Sequence, residues 1–411
     1  MKKFYQLGIQ ERWQNLVNEG LVIPNIAQNL TRSFNLNEKQ LSIFTENVIS
    51  QFHLPVGLVK GLKVNGKKYL IPIATYEPSV VAALNKATHY VNENKGIIVT
   101  GEKLPVSGQI FINCKDKMTV NLKRLRLKET ELKQIGESAV PNLVKRGGSI
   151  KRLTFNAFGE LLVVTVITDT GEAMGANLVD TIVEKLAPVI SKITGGEIIS
   201  AILSNLPSGE PFKAQAKIPI DTIGIDAAKK IEQLSNISRF NLPRATTNNK
   251  GVMNGLIGAV VATGNDDRAV NAAMNAYLIE NQQYSLTFWK ILKGNLVGTF
   301  KGYLPIGTVG GAISTHPDAR NFLSLLKINN STELSHVLMA VGLSSNFSAL
   351  LALVTNGIQE GHMRLQAKSI ALNAGVGLDS INRVVAEMIR IKKFDTLTAR
   401  KINENIKKGL T

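Results

Sequence analysis

Apolar and polar residues change period several times along this chain, and each change marks an element. The first fifty residues carry helical spacing, with Asn25 and Asn37 as candidate caps ahead of apolar-periodic runs. Gln40, three residues past Asn37, would complete a capping box. Over 56–78 the pattern becomes VGLVKGLKVNGKKYLIPIATYEP, two short strands joined by Asn65-Gly66, a pair suited to the left-handed backbone of a tight hairpin turn. Pro78-Ser79 opens VVAALNKATHYV, a helix with proline near its first turn. Residues 108–155 read as strands around a charged helix that starts near Lys128. The clearest local unit follows: a buried strand over 161–167, the loop TDTGEAMGAN with Gly171 and Gly175, and a helix with Leu178, Ile182, Leu186 and Ile190 on one face. Residues 208–221 read as linker and strand. From about 222 the pattern is mainly helical, broken near 285–310 by strand-like, turn-rich sequence. Thr355–Gly361 is a candidate hinge into a basic, helical last fifty residues. No internal repeat of about 20–50 residues is visible, which argues against a solenoid.

The coarse picture is mixed α and β in 411 residues, a length for roughly two or three domains with proper cores. Hydrophobic residues make up 44%, too many for a disordered chain. One cysteine, Cys114, forms no internal disulfide and builds no zinc or iron–sulfur site. The N-terminus breaks into Gln, Gly, Glu and Arg where a signal peptide needs an apolar core. Apolar runs such as 161–167 fall far short of the roughly 18 residues of a membrane span. A cytoplasmic protein that leaves membranes alone is expected.

Charge adds a question. Lys and Arg number 48 against 31 Asp and Glu, a net +17. Nucleic acid, a membrane surface and small polyanions compete as partners. The densest basic stretches, 121–155 and the segment from Arg390 onward, hold one aromatic each, Phe155 and Phe394, too few for a stacking platform, and carry no nucleic-acid fingerprint. A solvated basic surface accounts for them better than nucleic acid does.

Three places could carry chemistry. The strand–glycine loop–helix at 161–190 offers free backbone N–H groups and a helix dipole to an anion, although a tight turn needing glycine would look the same. It is not GxGxxG, so a Rossmann nucleotide fold lacks support. The run Arg244-Ala-Thr-Thr-Asn-Asn-Lys250, with Asn265-Asp266-Asp267 beyond it, gathers a lysine, carboxylates and amides within apolar, glycine-rich sequence, as a site for an anionic substrate would. An ordinary polar loop is the bland alternative. Among His53, His89, His316, His336 and His362 no pair has metal-ligand spacing, so no metal site is expected. His362 stands apart, because at the hinge it could arrive as a proton donor once substrate is bound. There is neither a GxSxG elbow nor a GxxxxGK[ST] loop.

Taken together the residues resemble one family, hydroxymethylglutaryl-CoA (HMG-CoA) reductase in its class II, soluble bacterial form. The resemblance rests on ENVISQF at 46–52, YEPSVVAA at 76–83, EAMGAN at 172–177, TGGEI and ILSNL within 194–206, RATTNNKGVMNG at 244–255, ATGND at 262–266, PIGTVGGA at 305–312, THP at 315–317 and GIQEGHM at 357–363. It implies reduction of HMG-CoA to mevalonate and CoA by two nicotinamide hydrides, in the mevalonate pathway of isoprenoid biosynthesis. Lys250 would be the cation at the carbonyl oxygen and Glu77 the proton-supplying carboxyl group. Asp266 would hold and tune that pair, and His362 would protonate the CoA thiolate. Ser79, Arg244, Thr247, Asn254 and Asn346 would bind substrate, Arg244 through a bidentate carboxylate contact. The cofactor would lie on the loop Glu172, Ala173, Met174, Gly175, Ala176 and Asn177.

Family members that prefer NAD carry an acid just after the Gly-Gly turn, where this chain has Lys151 and Arg152. That implies NADPH, with NADH as the alternative. The implied fold is α+β: a mostly helical large domain (1–107 and 215–362), an inserted antiparallel-sheet, ferredoxin-like, non-Rossmann cofactor domain (108–214) and a C-terminal helical flap (363–411). The site would be shared across a homodimer, or a higher multiple of dimers, with no nucleic-acid partner. Tyr76, Pro243, Asn248 and Asp267 depart from the common family pattern. They leave a degenerate relative, binding CoA or cofactor without turnover, as the competing reading.

Overall fold

The computed structural model describes residues 3–31, 38–115, 117–355 and 358–408, and over 358–365 the backbone alone. Three helices lead: α1 (Ile9–Asn18), α2 (Pro24–Thr31) and α3 (Glu38–Phe44). Asn25 was expected to cap α2, but Pro24 takes the first helical position and Asn25 falls inside the helix. Proline fits there because its fixed φ suits a helix and the N–H it lacks would be unbonded anyway. Asn37 lies outside the described residues. The hairpin β1 (Val56–Val64) and β2 (Lys67–Ala74) turns at Asn65 and Gly66, with φ of 49° and 89°. Helix α4 (Val80–Val91) and the short β3 (Ile98–Thr100) follow.

The chain then builds a second layered unit. Its elements are β4 (Val106–Asn113), α5 (Met118–Leu127), α6 (Glu129–Ser138), α7 (Pro141–Lys145), β5 (Ser149–Phe158), β6 (Leu161–Asp169), α8 (Ala176–Thr194) and β7 (Glu197–Ser204). Its four antiparallel strands run in the order β5-β6-β4-β7. The apolar stripe of α8, including Ile182, Leu186 and Ile190, is fully buried against the sheet with Ile110, Ile112 and Val164. Each such side chain contributes on the order of 1.5–3 kcal/mol. Strand β7 leaves Ile198, Ile199 and Ile202 exposed.

The chain returns through β8 (Phe212–Pro219), α9 (Ile220–Ile223), α10 (Ile225–Ile237), α11 (Leu242–Ala262) and α12 (Asp267–Glu280). Strands β9 (Thr287–Leu292) and β10 (Asn295–Gly302) complete a second antiparallel sheet in the order β3-β8-β10-β9. Helices α13 (Gly311–Thr315), α14 (Pro317–Leu326) and α15 (Ser331–Val354) follow. The expected domain limits at 108 and 214 fall inside β4 and β8.

Helix α15 corrects one expectation. It is 24 residues long and apolar enough to cross a membrane by length and composition. It is instead the axle of the largest core, with 78% of its most apolar window buried inside the fold. Scattered Ser, Asn and Gly keep its apolar runs short, so a search for uninterrupted runs passes over it.

The last helices are α16 (Ile358–Asn373), α17 (Leu378–Ile391) and α18 (Thr396–Lys407). They enclose a core of their own, with Ala367, Ala371, Val384, Met388 and Ala399 fully buried. In the candidate hinge Thr355–Gly361, α15 ends at Val354 and helix resumes at Ile358; residues 356 and 357 lie outside those described.

Candidate active site

Helix α11 presents Arg244, Thr247, Lys250, Gly251 and Asn254 along one stripe, because residues three and four apart share a helix face. Small residues let that helix lie close to its neighbours. A Cβ on Gly255 would stand 2.9 Å from Ser345 Cβ on α15, and one on Gly258 only 2.6 Å from Ile73 Cγ2 on β2. The close approach to β2 brings Lys250 to the segment just beyond that strand. Lys250 Nζ lies 3.2 and 3.3 Å from Glu77 Oε1 and Oε2. Both side chains keep solvent access, 62% for Lys250 and 37% for Glu77, so a substrate can reach the pair.

The turn that carries Glu77 is held locally. Glu77 N donates to Thr75 Oγ1 at 3.1 Å, and Ser79 occupies the N-cap of α4 with φ of 80°. A serine with left-handed φ is uncommon, and such geometry concentrates at functional turns. Thr247 Oγ1 donates back to Pro243 O at 3.2 Å. Asn254 is half-buried on the same stripe. Arg244 Nε is buried without a partner among the described residues, and burial holds the guanidinium below its ordinary pKa. A half-buried guanidinium with its Nε unpartnered suits an anion.

Two expected members bond to other groups in this structure. Asn346 is 1% exposed in the middle of α15. Its Oδ1 accepts from Thr287 Oγ1 (3.0 Å) and Trp289 Nε1 (2.8 Å), and its amide nitrogen donates to Asn248 O and Oδ1. Asn248 in turn donates to Ser285 Oγ and Thr287 Oγ1, both at 2.9 Å. Asn346 therefore has its amide committed to a buried network under α11 and does not present it to the cleft. Asp266 makes no direct contact with Lys250 or Glu77. It caps α12, with Oδ1 accepting from Arg268 N (2.9 Å) and Ala269 N (3.1 Å), and it pairs with the Arg268 guanidinium. Burial pushes its pKa up, but hydrogen bonds from Ala269 and Arg268 and the Arg268 charge outweigh that, so the group stays below its usual value and ionised near neutrality. His362 falls in α16, with its side chain outside the described residues.

The glycine loop joins β6 to α8. Gly175 caps α8 with φ of 103° and contributes no side-chain hydrogen bond. No acid stands in the first turn of α8; Val179 N donates to Gly175 O, and the N–H groups of Ala176, Asn177 and Leu178 form a positive helix end. A bulge in β5 falls at Lys151, whose Nζ pairs with Asp169 Oδ2 at 3.1 Å just before the loop. Arg152, next on that strand, is exposed. Glu172 does structural work: its Oε2 accepts from Thr308 Oγ1 (2.9 Å) and Ser331 N (2.6 Å), and its carbonyl accepts from Thr308 N. Gly307 lies so close that a Cβ there would meet Met174 N at 2.4 Å, and Asn265 Oδ1 holds Gly307 N at 2.8 Å.

Sequence reading passed over Lys103, whose ammonium enters this loop, and over Thr308 and the Asn248–Thr287 network. Only the placement of a lysine inside a Gly-x-x-x-Pro linker could have flagged Lys103. Among the described residues no three His, Cys, Asp or Glu side chains are grouped to hold a metal ion. A hollow of about 410 Å³ on α5, lined by Thr119, Leu122, Lys123, Arg126 and Leu127, includes none of the residues above.

A family model described as hydroxymethylglutaryl-coenzyme A reductase matches residues 8–367. The 3-hydroxy-3-methylglutaryl-coenzyme A reductase of Archaeoglobus fulgidus is 36% identical over 98% of this chain and 94% of its own. A probable reductase of Borreliella burgdorferi is 35% identical over 90% of this chain and 88% of its own. Among solved structures, the reductase of Streptococcus pneumoniae superposes with a TM-score of 0.82 at 33% identity, covering 98% of this chain and 99% of that one. A structure of the class II enzyme from the same organism, bound to NADPH in open conformations, also scores 0.82, at 31% identity over 86% of this chain and 99% of that one. Matched along nearly its whole length in sequence and in fold, the chain belongs to the HMG-CoA reductase family, with class II enzymes among its relatives.

Proposed function

We propose that the Lys250–Glu77 pair is the reaction centre of this HMG-CoA reductase. The observation that carries the reading is that pair: Lys250, on a helix whose first turn holds Arg244, has its ammonium 3.2 Å from the carboxyl group of Glu77 on the turn after β2, and both are open to solvent. The reaction reduces the HMG-CoA thioester to mevalonate and CoA in the mevalonate pathway. Negative charge builds on the carbonyl oxygen, and Lys250 is the cation positioned to hold it. Glu77, within hydrogen-bond reach of Lys250, supplies the proton that the oxygen takes up. Arg244 binds the free carboxylate of substrate, which removes the cost of its unpaired charge. Ser79, Thr247 and Asn254 border the same stripe and hold substrate oxygens, while Asn346 positions α11 from beneath. Asp266, held ionised, contributes negative charge and is not a proton donor. His362 is assigned the proton that the departing CoA thiolate needs.

A reduced nicotinamide, when bound, supplies the hydrides. The residues around the glycine loop fit such a cofactor by their donor chemistry: uncapped N–H groups at the start of α8, a left-handed Gly175, and cations at Lys151 and Arg152. Glu172, Met174, Gly175, Ala176 and Asn177 form the cradle, and Lys151 with Arg152 favours NADPH over NADH because a cation suits the 2′-phosphate. Phosphates on CoA and on NADPH account for the positive charge without nucleic acid. Exposed apolar side chains at Ile49 and Phe52, 99% and 86% accessible, and on β7 support a homodimer that covers them. The reading includes a cytoplasmic location, with 108–214 as cofactor domain and 363–411 as flap.

The test is oxidation of NADPH or NADH, followed at the reduced-nicotinamide absorbance, with HMG-CoA and a Lys250→Ala control. Substrate-dependent oxidation of NADPH that disappears in the control is expected. Faster turnover with NADH would overturn the roles of Lys151 and Arg152, and unchanged turnover in Lys250→Ala would overturn the reaction centre.

A further inference from the structure

We propose that Lys103 is a positioning residue for cofactor binding: its ammonium holds the glycine loop in the shape that receives the dinucleotide, and ties that loop to the large core. The proposal rests on reading Glu172–Asn177 as the cofactor loop.

Lys103 belongs to neither sheet. It sits in the linker between β3 of one sheet and β4 of the other, one of two places where the chain passes between them. The second passage runs beside it, with Ser208 N donating to Pro105 O at 3.0 Å. The linker is anchored on α15. Lys103 N donates to Thr332 Oγ1 at 3.1 Å, and the same hydroxyl reaches the Glu102 carboxylate at 3.3 Å. One turn on, His336 Nε2 donates to Gly101 O at 2.9 Å.

From this anchored backbone the side chain crosses to the loop. Nζ donates to Thr170 Oγ1 at 2.9 Å, to Gly171 O, and to Ala173 O at 2.5 Å. All three donors of the ammonium are used, on three residues of one turn. The turn wraps tightly, since a Cβ on Gly175 would stand 2.4 Å from Thr170 Cγ2. Glu172, between the bonded residues, accepts from Thr308 and Ser331. The loop is thus held by Lys103 and through Glu172 immediately before α8 begins.

A structural lysine would make some of these bonds, but burial argues for more. Burial draws Lys103 down to about 8, although the carboxylates of Asp169 and Glu172 pull upward. Asp169 is itself shared with Lys151, Glu172 with Thr308 and Ser331, and Glu102 with Thr332. An apolar side chain would fill the space without that desolvation. What it would lack is the power to fix three acceptors, and with them the direction of the N–H groups that follow.

The expected consequence is specific. Direct NADPH binding to the full-length protein, read by nucleotide fluorescence, should weaken by about tenfold or more in Lys103→Met, while HMG-CoA affinity stays within about twofold. Lys103→Arg, which keeps charge and donors, should recover NADPH affinity to within about threefold. Wild-type NADPH affinity should also fall about tenfold or more between about pH 7 and pH 9.5 as the ammonium is lost, and Lys103→Arg should stay nearly level. Wild-type affinity in Lys103→Met, or the same pH fall in Lys103→Arg, would overturn the proposal. If Lys103→Met does not fold, the wild-type and arginine pH profiles decide it. A wild-type protein that reduces HMG-CoA yet shows either negative result refutes Lys103 alone; one that binds no nucleotide refutes the cofactor loop with it.

Discussion

Asp266 shows how one side chain is bound into both stability and charge. Its carboxylate accepts two backbone N–H groups at the start of α12, and Asp266→Ala should lower stability by about 1 kcal/mol at neutral pH. Its folded pKa is depressed, so the stabilisation is full above the unfolded value of about 3.9 and fades as pH falls through the lower, folded value. Melting of wild type and variant should therefore converge in acid; a gap that does not narrow as the carboxylate is protonated would count against this assignment. Asn346 makes a sharper case. Truncation to alanine strands the Trp289 N–H, the Thr287 hydroxyl and the Asn248 amide in a buried place, and should cost about 2–4 kcal/mol in urea denaturation. A loss in substrate affinity with no loss of stability would instead put Asn346 in the cleft. Residue type and order in the sequence point to both positions, but do not say which amide faces solvent. That depends on helix rotation, which an all-buried helix such as α15 does not reveal.

Between elements, the decisive contact is α11 against β2. Gly258→Ala places a methyl 2.6 Å from Ile73 Cγ2 and 3.2 Å from Ala74 O, one strand end away from Glu77. Ile73 is fully buried and has nowhere to go, so α11 must lift. The expected result is a loss of about 1–3 kcal/mol on unfolding together with a fall in kcat, since Lys250 moves with the helix. Unchanged turnover in a destabilised protein would separate helix seating from the Lys250–Glu77 distance. Elements with a period were legible without coordinates: the Asn65-Gly66 hairpin and the strand–loop–helix at β6 and α8 are where the pattern puts them. Helix α15 was not, because a helix buried on every side has no amphipathic stripe. Lys103 was not, because a buried ammonium in a linker leaves no periodic trace. The close approaches at Gly255, Gly258 and Gly307 depend on which elements meet, and glycine alone does not say that.

At the scale of the whole molecule, the basic tail is a small unit with its own core, joined to the end of the same α15 that anchors Glu172 at its start and Asn346 in its middle. His362 lies on the first helix of that unit. Its assigned proton is needed only once. Reduction of a thioester by four electrons passes through the aldehyde level: the first hydride leads to expulsion of CoA, and the second reduces the aldehyde to the alcohol. Only the first stage releases a thiolate. His362→Gln should therefore slow reduction of HMG-CoA by about 100- to 1,000-fold, while NADPH-dependent reduction of the corresponding free aldehyde, mevaldehyde, stays within about threefold. Because the tail has a separate core, the substitution should leave the melting of the larger cores in place. If both reductions fall together with melting unchanged, His362 serves the shared steps at Lys250 and Glu77. If neither falls, the proton for the thiolate comes from another group.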